Sequence, residues 1–499
     1  MVMNSLNYLS IAGLTVFASY CELSSAGDWK TRYGVTAREE YSDNVCLDNG
    51  GDQDEWIATM TPSLVLSGKG GRAELDIKAA FEVNNLDDDS ARCNSRSGSS
   101  DRNGTDGFNP KVDAKGRIEL ISDSAFIDLQ AQVQQNRSDA FVGGGDSSLN
   151  RRGNNNTTYN YAVSPYVVGK VKDLAQLSLR YSYDSQSNSD NDLDDSEQQI
   201  ANVTISSIAG KSPLSWLLVG NYQTVDYEKD NADDNDSQDL GSLIFRLGYR
   251  FNRKWEVYAS TGEDFNDFQS SGSDIEGSRW DAGITWSPSP RTTLVVGSGD
   301  RFIGNTPFFD FNHRRKHSLL TAQYQKTVTF SRALRTDEID LPVIDDNGDL
   351  ILDVNGLPIF FSLSSTTVTR SPIVDERLSV GYRWERGRTN VVVDLTESKQ
   401  TREEDEQSST FSSASIGLSR RLSPKLTLDT RLHYQEAEVE DNSTLGNDSQ
   451  EYRLYLGARR KLGTKTSLTM NYTHNDRRSD QAEDEYRENR VSLGLVMTW

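Results

Sequence analysis

The chain has 499 residues, of which 35% are hydrophobic, with a mean hydropathy of −0.65 and 75 acidic against 53 basic side chains. That leaves it short of the apolar residues that roughly two to four soluble domains would bury. A net charge of −22 argues against nucleic acid as a partner, the absence of any apolar run of about 18 residues excludes a membrane-crossing helix, and 20 Tyr, 17 Phe and 8 Trp set in alternating segments argue against disorder.

Residues 1–26 read as an export signal. Tyr8 to Tyr20 make an apolar core, and Ser24-Ser-Ala26 offers small residues for cleavage before Gly27. The segment departs from the usual pattern in having no Lys or Arg ahead of that core. Cys21 opens a lipoprotein reading, which Tyr20 and Ala18 disfavour as neighbours of a lipidated cysteine.

From Trp29 onward, segments of about ten to fourteen residues with a period of two alternate with polar connections. In Gly71 to Val83, Ala73, Leu75, Ile77, Ala79, Phe81 and Val83 share one face; Arg72, Glu74, Asp76, Lys78 and Glu82 share the other. This is longer than a typical strand of a soluble sandwich. The design recurs at Ile127, Leu129, Ala131 and Val133, and at Leu177, Leu179, Tyr181 and Tyr183. It returns at Phe245 to Phe251, at Leu378 to Trp384 and at Leu426 to Tyr434. Charges keep to one face throughout.

Connections alternate between short and long, the rule for periplasmic turns and external loops. Short ones include Ser67 to Gly71, Asn252 to Lys254, Ser287 to Arg291, Leu422 to Lys425 and Leu462 to Lys465. The long ones, near 85–111, 137–156, 184–197, 229–238, 400–408 and 437–449, are rich in Asp, Asn and Ser. Two stretches differ. Asn305 to Lys316 suggests a short strand turning at Arg314-Arg-Lys316. Residues 333–371 form a long insert in which Asp346-Asn-Gly348 and Val354-Asn-Gly356 read as hairpin turns, standing at the rim or folding into the lumen.

The last ten residues carry Val491, Leu493, Leu495, Met497 and Trp499 on one face. A chain ending so resembles the closing strand of a bacterial outer-membrane barrel, where this pattern is the assembly signal. The expected fold is all-β: a single transmembrane antiparallel up-and-down β-barrel of about 22 strands, within roughly 18 to 24, over residues 27–499. Because the first strand starts close to the cleavage site, no separate plug domain is expected, which disfavours an active importer. Cys46 and Cys93 fall in the first two long connections, so a disulfide between them is plausible in an oxidising envelope, with two isolated thiols as the other reading.

The inward residues so placed include Arg180, Arg246, Arg250, Arg377, Arg383, Arg431 and Arg453, with Glu74, Asp76, Asp128, Asp394 and Asp429. They would hydrate a pore or brace its wall by pairing across it. Catalysis finds little footing among four histidines. His313 and His317 do not share a helical face, and His433, on the lumen side, has no assignable serine. Acidic runs such as Asp87-Asp-Asp89 and Asp345 to Asp349 lack the complete spacing of a calcium loop and read as solvated. No enzyme activity, cofactor or metal site is expected.

One further resemblance rests on the first third. Tyr41-Ser-Asp-Asn-Val45, Thr61-Pro-Ser-Leu-Val-Leu-Ser-Gly68 with Arg72-Ala-Glu-Leu75, Glu119 to Asp128 and Gln132-Val-Gln-Gln135 follow one another as in the PEP-CTERM system-associated outer-membrane β-barrel family, which this chain resembles. The motifs cover about 140 residues, and the family offers no catalytic residues to carry over. The resemblance implies an outer-membrane location in a Gram-negative cell and a place beside exopolysaccharide export. Expected partners are outer-membrane lipid and lipopolysaccharide, the barrel-assembly machinery, polysaccharide and periplasmic export proteins. The competing expectation is a surface scaffold or adhesin with a plugged lumen and matrix-binding acidic loops.

Overall fold

The computed structural model describes residues 27–50, 53–84, 108–144, 154, 156–190, 193–208, 210, 212–228, 237–271, 275–333, 369–440 and 446–499. Its strands are β1 (Asp28–Ser42), β2 (Glu55–Lys69), β3 (Ala73–Asn84), β4 (Phe108–Ile121), β5 (Ala125–Asn136), β6 (Asn156–Val171), β7 (Ala175–Asn188) and β8 (Ser196–Ser207). Then come β9 (Leu214–Tyr227), β10 (Ser237–Arg250), β11 (Trp255–Asp267), β12 (Gly277–Ser289), β13 (Thr292–Arg301), β14 (Gly304–Asn305), β15 (Phe308–Arg314) and β16 (Ser318–Thr329). The series ends with β17 (Ile373–Arg386), β18 (Thr389–Arg402), β19 (Ser408–Ser423), β20 (Leu426–Val439), β21 (Ser449–Lys461), β22 (Thr466–Ser479) and β23 (Tyr486–Thr498).

Each strand pairs antiparallel with its neighbours in sequence, except that β13 pairs with both β14 and β15. The two-residue β14 is thus an appendage of β13, and the 23-stranded sheet closes as a wall of 22. The seam is β1 against β23, from Gly34 opposite Thr498 to Ser42 opposite Arg490. Tyr33 and Trp499 extend it by exchanging backbone hydrogen bonds, each 3.0 Å. Closure pairs every wall edge, which a sheet in lipid requires because hydrocarbon offers backbone groups no partner.

The period of two decides which side of the wall each residue takes. On β20, Leu428 and Leu432 are exposed on the outer face while Arg431, His433 and Gln435 are buried within the lumen. Leu395, Ile416, Met470 and Leu493 continue the exposed apolar band on neighbouring strands. Polarity is therefore inverted relative to a soluble protein: much of what is buried is polar, and the outer face is greasy. Aromatic pairs flank the band at both ends. Tyr41–Trp56 and Tyr434–Tyr452 (centroids 5.1 and 4.9 Å) stand at the long-loop end, and Trp255–Trp286 (5.8 Å) at the short-turn end.

Short turns follow from local chemistry. Only Gly387 and Arg388 separate the pair Arg386–Thr389, and Gly387 takes φ 64, the left-handed conformation that primed hairpin turns need. The turn at Arg314-Arg-Lys316 lies where expected, between β15 and β16.

Other sequence expectations fall outside the described residues: the segment 1–26, Cys93, and both hairpin turns in the 333–371 insert. Cys46 is disulfide-bonded. Because the outer face must dissolve in hydrocarbon, Leu493→Arg, at a position 54% exposed on β23, should destabilise the folded barrel by about 2–4 kcal/mol if it lies near the bilayer midplane. Urea titration in lipid vesicles measures this. An unchanged midpoint would mean that the face is not in lipid.

Candidate functional site

The lumen divides into two levels. Near the short-turn end, β1 to β7 line a cavity of about 790 Å³ whose walls carry Lys69, Glu74, Asp76, Lys115, Arg117, Asp128 and Arg180. Alternation turns these charges inward because their neighbours, such as Leu129 and Leu179, occupy the outer face. Arg117 and Arg180 both donate to the Asp128 carboxylate, each at 2.9 Å, and the Arg180 guanidinium lies 4.1 Å from the centre of the Tyr166 ring. The arrangement repeats further round the wall. Arg246 donates to Asp281 at 3.2 Å and lies 4.4 Å from the centre of the Tyr258 ring. That ring occupies space that a side chain at position 283 would need, and Gly283 leaves it open.

Near the long-loop end the lumen is crossed by polypeptide. Beyond β5, residues 137–144 leave the wall and dock on the inner face of β19 to β23. The Arg137 guanidinium donates to both oxygens of Glu451 at 2.9 and 3.1 Å, although β4, β3, β2, β1, β23 and β22 stand between their strands in the wall. Glu451 also takes Arg453 at 2.7 Å and lies 3.6 Å from Arg477; Arg137, Glu451 and Arg477 are buried and Arg453 is 14% exposed. Phe141 packs on Phe411 (centroids 5.5 Å) beside Ala140, Ala437 and Val439. The Tyr486 hydroxyl donates to the Gly144 carbonyl at 3.3 Å. Asn154 fixes the loop's shape by donating to the carbonyls of Asp139 and Val142, both at 2.9 Å.

A second crossing starts where the insert leaves the wall. After β16, Phe330 and Arg332 turn inward and are buried, and Arg332 pairs with Asp184 at the far end of β7. At the other root of the insert Arg370 donates to Asp194 at 2.6 and 2.7 Å, and Ser271 of the β11–β12 connection donates its backbone N–H to the Glu403 carbonyl at 2.8 Å. Burial pushes the carboxyls of Asp139 and Glu403 above the ordinary carboxylate range, against the pull of nearby cations and hydrogen bonds.

Eight of the twelve residues assigned to the lumen by sequence form local ion pairs. Arg180 with Asp128, and Arg246 with Asp281, are described above. Arg250 meets Glu256 at 3.1 Å, Arg377 lies 3.1 Å from Asp375, Glu74 pairs with Lys69, and Asp76 lies 3.5 Å from Lys78. Arg383 and Asp394 stand on the adjacent strands β17 and β18, Asp429 lies on β20 with Arg431, whose buried guanidinium is 5.8 Å from the centre of the Tyr455 ring, and Arg453 joins the Glu451 cluster. Sequence reasoning missed Arg137, Phe141, Glu451 and Arg477. The one signal was the apolar pair Phe141-Val142 inside an otherwise polar connection. Register also sets Ser415 opposite His433, but His433 is hydrogen-bonded to Gln435, and the nearby Glu451 carboxylate is committed to arginines.

A closed antiparallel wall, apolar outside and charged within, defines an outer-membrane β-barrel of the porin-like kind, and the protein resides in the outer membrane. Residues 382–498 match the family described as "Putative beta-barrel porin 2". No curated protein matches the chain. Among solved structures it is similar to the siderophore receptor PirA from Acinetobacter baumannii (8% identity, 94% of this chain and 80% of that one, TM-score 0.52). It is likewise similar to a mutant ferric enterobactin receptor PfeA from Pseudomonas aeruginosa (10%, 95% and 81%, 0.52) and to the FrpB iron transporter from Neisseria meningitidis (11%, 94% and 81%, 0.51). At such identities the likeness shows the fold.

That likeness corrects one part of the expected fold. Outer-membrane transporters with 22-stranded walls have a plugged lumen, and the solved barrels that share this wall are receptors and a transporter. The expectation of a barrel class with no separate plug domain is therefore overturned. It rested on how soon β1 begins, and the start of the wall does not decide what occupies a lumen of this width.

Proposed function

We propose that this barrel is a non-enzymatic conduit, or part of one, for exopolysaccharide export in a PEP-CTERM-associated system. The observation that carries the reading is the lower lumen, a charge-lined cavity of about 790 Å³ in which hydroxyl-rich solutes can exchange many weak hydrogen bonds. Above it the passage is crossed by loops held through side chains, so the obstruction is a docked segment of the chain and can be undocked. Polysaccharide and periplasmic export proteins are the partners this reading requires. Outer-membrane lipid, lipopolysaccharide and the barrel-assembly machinery are those that any such barrel meets.

Purified protein in a planar bilayer tests the proposal. Discrete conductance steps, interrupted when polysaccharide fragments are added from the short-turn side, are the expected result. A barrel that stays closed both intact and with its crossing loop released would overturn it. The cross-lumen pairs Arg137–Glu451 and Arg332–Asp184 favour a second reading, a surface scaffold whose lumen stays shut while acidic external loops hold matrix. Trimming those loops would then abolish matrix attachment and leave polymer export unchanged.

A further inference from the structure

Resting on the conduit reading, we propose that the arc of arginines on the lower lumen wall is a binding site for carboxylated sugar chains, so that the polymer accommodated is an acidic one. The arc runs from Arg117 on β4 through Arg180 on β7 to Arg246 on β10. Its cations reach the lumen more than its anions do. Side-chain exposure is 53% for Arg117, 34% for Arg180 and 39% for Arg246, against 26% for Asp128 and 15% for Asp281. One carboxylate stands between two guanidiniums at the first station, Lys115 on the same cavity wall lies 3.6 Å from Asp113, and the cavity lining as a whole carries five basic against four acidic side chains. That balance is positive by one, inside a chain whose net charge is −22.

The guanidiniums are also held in place. Arg180 is fixed between Asp128 and the Tyr166 ring, and Arg246 between Asp281 and the Tyr258 ring, which lies over Gly283. A planar fork fixed on two sides has already lost the freedom that a lone surface arginine would surrender on binding, and its remaining donors match a carboxylate. Two such stations, three strands apart on one wall, suit a ligand that carries carboxylates at intervals. A neutral glucan would use only weak contacts there. A single free carboxylate would meet one station at a time.

Current recordings on the intact barrel separate these cases with three probes: oligogalacturonate, a dextran oligomer of matched length, and monomeric galacturonate. Oligogalacturonate should block conductance at concentrations about tenfold or more below those of the other two, and raising salt should weaken it. Arg180→Gln and Arg246→Gln should each shorten its residence time in the lumen by about tenfold, leaving dextran block unchanged. Equal block by the acidic and neutral oligomers, or no response to either substitution, would overturn the proposal while the conduit reading stands. Block by monomer as strong as by oligomer would also overturn it, marking a small-anion site. A barrel that conducts nothing, even with its crossing loop released, would fail the conduit reading itself.

Discussion

Release of the crossing loop should turn a nearly closed barrel into an open one. Glu451→Ala would leave Arg137, Arg453 and Arg477 together in a dry pocket without their common counter-charge. Breaking a buried ion pair from one side costs about 3–5 kcal/mol, which shifts the docked-to-undocked ratio by roughly a hundredfold or more. Arg137→Ala is the cleaner variant because it touches only the loop. Two cations remain on Glu451, so its effect should be smaller, near the 1.5–3 kcal/mol of a charged hydrogen bond. Single-channel conductance, together with sensitivity of cells to large antibiotics, measures both. If conductance stays at the wild-type level in both variants while the barrel remains folded, the loop does not close the lumen.

The same recordings have a pH dependence with a definite sign. In the docked state burial raises the Asp139 carboxyl of the crossing loop. Its contribution to docking is fully present below the ordinary carboxylate value of about 4 and is lost as pH rises through the raised value. Acidification from neutral should therefore lower conductance, and Asp139→Asn should flatten that response. A rise in conductance on acidification would show that other groups control the loop.

The second large effect concerns assembly. Removing residues 491–499 deletes most of the seam partner of β1, which forms nine residue pairs with β23. Both β1 and β22 would then present unpaired backbone to lipid, where each unsatisfied group costs several kcal/mol. Folded, heat-modifiable protein in the outer membrane should fall to near zero. Trp499→Gly keeps the strand and removes the ring, so it should cost less in final stability and act on the yield of assembly. A truncated protein that still migrates as a compact barrel would mean that the seam is not what completes the fold.

Much of the wall was legible in the sequence because a membrane strand announces itself twice. Period-two alternation marks its faces, and turn residues mark its ends. The six sampled segments lie on β3, β5, β7, β10, β17 and β20, and the short turns at Asn252 to Lys254 and Leu462 to Lys465 separate the strands they were expected to separate. The occupancy of the lumen was not legible. Arg137 and Glu451 are 314 residues apart, and nothing in the local pattern of either marks a partner. In a polar connection, an arginine that docks across the lumen looks like one that faces water.

By itself, then, the sequence determined the material of the wall: which residues face lipid, which face inward, and where the chain turns. The physical reason is that successive side chains in a strand point to opposite faces, a local property that the order of residues records. Only the tertiary structure decided how the wall closes on itself, which loops enter it, and which charges meet. Those depend on groups far apart in the chain being brought within hydrogen-bond range, and only the closed cylinder sets that distance.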